Sequence, residues 1–216
     1  MNEVRPGTRG FHVPRATAAI AIVTAILSSL MIVGGGVEDA GYRFGFIAGR
    51  IGGMAVDGAL PVWLTPLSAT LVHGGWLHLG FNLLMLVYTG SRVEQVFGGA
   101  NLLFAYLVGA IVAAAAQWIA DPGAYQPMIG ASGAISAIFA IYALIGSRPK
   151  PVTGSPRTDR AIHVAWLLAA WIAIQWMNEI LSAGQGVTLA TPAHIGGFAA
   201  GLLLQRPLLL WHYRKA

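Results

Sequence analysis

Apolar positions in this chain run in long unbroken stretches, with polar and charged residues gathered between them. Uninterrupted runs of about 20 apolar residues are the mark of bilayer-spanning helices rather than of half-buried ones. Residues 16–33 form the first such run, 18 residues without a charge. A cleaved signal peptide would have a shorter apolar region, and further runs follow, so this stretch is expected to persist as a first helix. The next runs predict helices over 71–90, about 100–120, 132–146 and 161–181, and a sixth starting near His194. Thr191-Pro192 reads as its N-cap followed by a first-turn proline, while Arg206 and Pro207 blur where it ends. Between the first two helices, 34–70 is a long connection, and 44–56, apolar in patches but broken by Arg50 and several glycines, reads as an interfacial or re-entrant element.

Composition strengthens the membrane reading. Of 216 residues, 56% are hydrophobic and 10% charged, where soluble domains carry roughly 25% charged residues. Mean hydropathy is +0.66 and the isoelectric point about 10.0. The net charge of +5 does not imply nucleic acid, because the basic residues flank the apolar runs. Six helices with an inner N-terminus place Arg5, Arg9, Arg15, Arg92, Arg148, Lys150, Arg157, Arg160, Arg206, Arg214 and Lys215 inside. Only Arg43 and Arg50 then lie outside, a strong positive-inside bias. The expected organisation is a cytoplasmic segment 1–15, one membrane domain 16–211 and a cytoplasmic tail 212–216, in a bacterial inner membrane.

That topology sends every even-numbered helix from the outer side inwards. His78 and Asn82 then lie in the outer half of the second helix, with Ser132 and His194 at the outer ends of the fourth and sixth. Polar side chains at membrane depth are expensive and face a protein interior or a water cavity. Ser132 sits in Gly130-Ala-Ser-Gly133 at a helix mouth. There a serine is either a cap or small packing residue, or a nucleophile whose oxyanion is met by the free N–H groups of the same helix start. His78 and Asn82, four apart, share a face and serve either as interhelical hydrogen-bonding residues or as oxyanion donors. Ala193, Gly197 and Gly201 repeat small residues along the helix of His194, and Gly133, Ala137 and Ala140 offer small residues in return. Close packing of those faces brings the His194 imidazole within reach of the Ser132 hydroxyl.

Ser132 in Gly-Ala-Ser-Gly, His78-Leu-Gly-Phe-Asn82 and Ala193-His194-Ile-Gly-Gly resemble the signature elements of rhomboid intramembrane serine proteases. His73-Gly-Gly-Trp-Leu-His78 and Gly90-Ser-Arg-Val-Glu94 add to the likeness. The resemblance implies an all-α six-helix membrane bundle and a Ser132–His194 dyad without an acidic third member. It implies an oxyanion hole made by the Ser132 N–H, His78 and Asn82. It implies cleavage of single-span or other membrane-protein substrates in or near their transmembrane segments, with no cofactor and no metal. Two positions depart from the family pattern. Trp63 is followed by Leu64 where many relatives have a Trp-Arg pair, which bears on loop conformation. Ser136 stands where an aromatic commonly packs on the catalytic histidine. Its hydroxyl is open to three roles: a second nucleophile, a partner of His194, or a bond back to its own helix.

Other chemistries lack their residues. There is no cysteine nucleophile. Asp39, Asp57, Asp121 and Asp159 are expected in loops, which leaves no intramembrane aspartate pair. No His-Glu-x-x-His run exists for a zinc protease. Glu179 is read as a solvated interfacial residue, and the tryptophans as anchors and packing. The alternatives to a protease are a catalytically silent rhomboid-like escort protein and a small transporter; the latter calls for repeated or broken helices in matching halves, and none is evident.

Overall fold

A computed structural model describes residues 12–147, 149–181 and 190–215. Residues 1–11, Arg148, the Glu179 side chain and the loop 182–189 fall outside the described set, and the expectations placed on them stay there.

Nine α-helices follow one another along the described chain: α1 Arg15–Val33, α2 Val37–Phe44, α3 Thr65–Ser68, α4 Trp76–Met85, α5 Ser91–Phe97, α6 Gly99–Ala120, α7 Ser132–Gly146, α8 Pro156–Leu181 and α9 Thr191–His212. One π turn, Leu86–Gly90, makes α4 and α5 a single rod. No strand occurs among the described residues, only an isolated antiparallel bridge between Phe46 and Met128. The protein is an all-α membrane bundle. By length and composition α1, α6 and α8 suffice to cross a bilayer, and the bent pair Thr65–Leu71 and Trp76–Phe97 adds a fourth crossing if taken as one span.

Polarity is distributed as a lipid solvent requires. On α1 the buried side chains are Thr17, Thr24 and Ser28, on one face, while Val33 is 77% exposed. Ile180 of α8 and Leu203 of α9 are likewise 74% and 76% exposed. On α1 polar groups are thus turned inward, where Thr17 and Ser28 find partners, and apolar ones outward.

At the centre α6, α7 and α9 pack through small residues. A Cβ at Gly109 of α6 would lie 2.7 Å from that of Ala137, and one at Gly133 would lie 2.6 Å from that of Ala113. On α9, a side chain at Gly197 would overlap the Gly133 carbonyl, and one at Gly201 the Ala137 carbonyl. Gly196 faces the other way, against Val112 and Ala116 of α6. So α9 is wedged between two helices, and α7 is surrounded.

Several sequence expectations need correction. The second helix begins at Trp76, not 71, and extends to Phe97. Residues 72–75 leave the helix because His73, fully buried, is held by partners on other segments. The connection 34–70 contains α2, α3 and two short 3-10 turns, and the stretch 44–56, expected as an interfacial or re-entrant element, holds the end of α2 and the 3-10 turn Ala48–Gly52. Its Phe46 pairs with Met128, and Gly49 donates to the Ala124 carbonyl, so it folds over the 121–130 segment. Asp159 is in the first turn of α8, not in a loop, and accepts from the amides of Val152 and Thr153. Thr191 is the first residue of α9 and makes no capping bond, and Pro207 lies inside that helix, which runs on to His212.

Glu94 closes the inner structure. Its carboxylate accepts from the Ala16 and Thr17 amides at 2.9 and 2.7 Å and from the Thr17 hydroxyl at 2.7 Å. A carboxylate from α5 therefore caps α1, whose own N-cap is Pro14 and makes no side-chain bond. Glu94→Ala should lower unfolding stability by about 2 kcal/mol, since it strands two amides at a buried helix start. Thermal unfolding in detergent followed by tryptophan fluorescence checks this; an unchanged midpoint would mean that water caps α1 equally well.

Candidate active site

The segment before α7 is a turn, and Gly130 carries its constraint. Its φ is +105°, and a Cβ there would lie 2.7 Å from both Cε1 and Nε2 of His78. Only glycine fits, on conformation and on space. Its N–H donates to the Ala69 carbonyl at 2.9 Å, which fixes the turn against the 3-10 turn that follows α3. Helix α7 then opens with Ser132 as its first residue and Ala131 as N-cap. The serine side chain makes no capping bond. Its main-chain N–H belongs to the first turn, which has no carbonyl one turn back in the same helix.

The Ser132 hydroxyl instead meets His194. Oγ lies 2.7 Å from Nε2 of the imidazole, with His194 3% exposed and Ser132 half-buried. His194 is in the first turn of α9, and the glycine contacts of α9 on α7 set this separation. His78 is buried in the first turn of α4, and its Nδ1 accepts from the Gly74 amide at 3.3 Å. That assignment leaves the proton on Nε2, the nitrogen against Gly130. Asn82, one turn on and buried, donates to the His78 carbonyl at 2.8 Å and keeps a second amide hydrogen. Ser132, His78, His194 and Gly130 line one cavity of about 710 Å3, together with Gln117, Gln126 and Gln175.

Four further side chains belong here: His73, Ser136, Trp171 and Gln175. His73 accepts from the Ala131 amide at 3.4 Å through Nε2, and its Nδ1 lies 2.8 Å from the Ser28 hydroxyl, which donates to the Leu71 carbonyl. A chain of hydrogen bonds thus ties α1 to the residue before the serine. Ser136 takes the third of its possible roles: its hydroxyl donates to the Ser132 carbonyl at 2.7 Å. It also accepts from Trp171 Nε1 at 2.7 Å, and Trp171 stacks on Phe139 with ring centroids 4.4 Å apart. One turn further along α8, Gln175 reaches His194, its amide 3.1 Å from Nε2. An amide side chain within an apolar helix was the available sequence signal for Gln175; nothing distinguished Trp171 from the other tryptophans. Among the described residues no group of three or more His, Cys, Asp or Glu side chains is placed to hold a metal ion.

An imidazole nitrogen within hydrogen-bond reach of a serine hydroxyl, beside a helix start and a cavity, is the arrangement that nucleophilic acyl transfer uses. Set among apolar-faced helices, it makes Ser132 and His194 a candidate site. The profile of the Rhomboid domain family matches residues 61–211, and the chain belongs to that family. Among curated relatives, the rhomboid protease GlpG of Pectobacterium atrosepticum is 35% identical over 139 residues, covering 63% of this chain and 45% of the relative. Rhomboid protease GlpG of Yersinia pestis is 30% identical over 146 residues, covering 67% of this chain and 48% of the relative. The chain thus spans about half the length of the curated relatives it matches.

The Ser136–Trp171 bond should make the two residues energetically dependent. In a double-mutant cycle, Ser136→Ala and Trp171→Phe should show a coupling of about 1 kcal/mol in unfolding stability. Strict additivity would mean that the bond contributes nothing to holding α8.

Proposed function

We propose that this chain is an intramembrane serine endopeptidase that cuts peptide bonds in or near transmembrane segments of other membrane proteins. The observation that carries the reading is the 2.7 Å approach of Ser132 Oγ to His194 Nε2 at a cavity inside a membrane bundle. Membership of the Rhomboid family and relatives named as proteases support it.

In this reading Ser132 Oγ attacks the scissile carbonyl carbon while His194 Nε2 takes its proton. The tetrahedral oxyanion receives hydrogen bonds from the Ser132 N–H, His78 Nε2–H and the free Asn82 amide hydrogen. Collapse breaks the C–N bond as His194 returns the proton to the leaving amine. Water entering the polar side of the cavity, past Gln117 and Gln126, then attacks the acyl-serine, with His194 again as base. A transmembrane helix hides its peptide bonds, so a substrate must unwind locally, and segments rich in small or helix-breaking residues are the expected class. The domain is read as 16–211 with six crossings, α4 and α5 forming one of them.

Ser132→Ala and His194→Ala should each abolish cleavage of single-span reporters in membranes, the double mutant being no worse than either alone. His78→Ala and Asn82→Ala should lower the rate about 10²–10³-fold with little change in substrate binding. Cleavage undiminished in Ser132→Ala would remove the mechanism.

The basic residues at the inner ends of the helices further support cytoplasmic termini in a bacterial inner membrane and a cavity facing the outer side. The chain has no cysteine, so Asp57→Cys and Ser155→Cys each give a unique label. An impermeant maleimide added to intact cells should modify the first and spare the second; the reverse would invert the topology.

A further inference from the structure

Gln175 does something for His194 that the dyad alone does not. It is 3% exposed, projects from α8 into the site cavity, and holds its amide 3.1 Å from the same nitrogen, Nε2, that faces Ser132. Its carbonyl oxygen and the His194 Nδ1 are both buried without a hydrogen-bond partner among the described residues. Two atoms of one small network therefore stand unpaired next to a site that moves a proton. Buried polar atoms are rarely left so, and where they are, a role in the chemistry is one of the few physical reasons.

The amide is bifunctional. Half a turn about its last bond exchanges NH2 for C=O at the same place. Facing a neutral imidazole, Nε2 offers a lone pair, and the amide N–H can share it with the serine hydroxyl. Once Nε2 carries the serine proton it becomes a donor, and the amide carbonyl, with no partner to give up, can accept from it. Trp171, four residues earlier on the same face, is pinned to Ser136 of α7, which fixes the height of Gln175 on α8. Resting on the protease reading above, we propose that Gln175 is a positioning residue: it holds the His194 ring between α7 and α8 and, by turning its amide, stabilises the protonated imidazole. An acidic partner does the corresponding work at the other ring nitrogen in triads. The remaining titratable groups around the cavity are His78 of α4, Glu38 and Tyr42 of α2, and Asp121 and Tyr125 of the segment after α6.

The test uses the full chain in proteoliposomes with two readouts: cleavage of a single-span reporter, and labelling of Ser132 by a fluorophosphonate, which needs no peptide substrate. Gln175→Met keeps length and volume and removes both hydrogen-bonding atoms. It should lower kcat and the labelling rate about tenfold, with KM and the thermal midpoint unchanged. Gln175→Glu places a fixed carboxylate beside Nε2 and should move the acid limb of the kcat pH profile upward by about one unit, a change that a packing role would not produce. Wild-type kcat, labelling and pH profile in both variants would overturn the role of Gln175 and leave the protease reading standing. So would a loss of activity matched by an equal loss of folded protein. If the wild type neither cleaves reporter nor labels at Ser132, both fall together.

Discussion

Everything in the site depends on how closely two helix backbones approach. With hydrogen alone at Gly197 and Gly201, α9 lies directly on the Gly133 and Ala137 carbonyls of α7. Lipid supplies no hydrophobic drive to press helices together, so contact must come from close van der Waals packing and from polar groups meeting inside. The glycines provide the first, and the Ser132–His194 pair is an instance of the second. One added methyl at Gly197 would force the helices apart. A displacement of about 1 Å is enough to cost a nucleophile–base pair two orders of magnitude in rate.

Around that contact the other segments act as braces. Gly130 lets the chain pass against the His78 ring, and His73 holds the next amide, that of Ala131. Trp171 of α8 reaches the hydroxyl of Ser136, which is itself bonded to the Ser132 carbonyl. Ser132 is therefore reached from α1 through Ser28 and His73 and from α8 through Trp171 and Gln175, while His78 of α4 lies against Gly130. Most of these bonds involve neutral groups, which suits a low-dielectric interior where an unpaired charge would be costly.

The core helices and the pairing of Ser132 with His194 were legible in the sequence because both follow from local pattern. The bounds of α7 coincide with the apolar run after Gly130, and the small-residue spacing on α9 identifies its partner face. What was not legible depends on tertiary partners. Residues 72–75 interrupt the apolar run: His73 bonds to Ser28 and Ala131, distant in sequence, and Gly74-Gly75 add a local break before Trp76. The loop 34–70 takes its shape from pairing with Met128 and Ala124. Ser136 departs from a family pattern, and its partner Trp171 lies on another helix, which no local spacing records.

The cap on α1 also has a meaning in time. Glu94 lies 77 residues beyond the Thr17 amide it satisfies. At about 5–20 residues per second, a ribosome needs roughly 4–15 s to make that stretch. For that interval α1 has a start that only water or headgroups can satisfy, and its polar face of Thr17, Thr24 and Ser28 lacks the later segments it lies against. The docking of α1 thus waits on the carboxylate of α5, made long after the helix it caps.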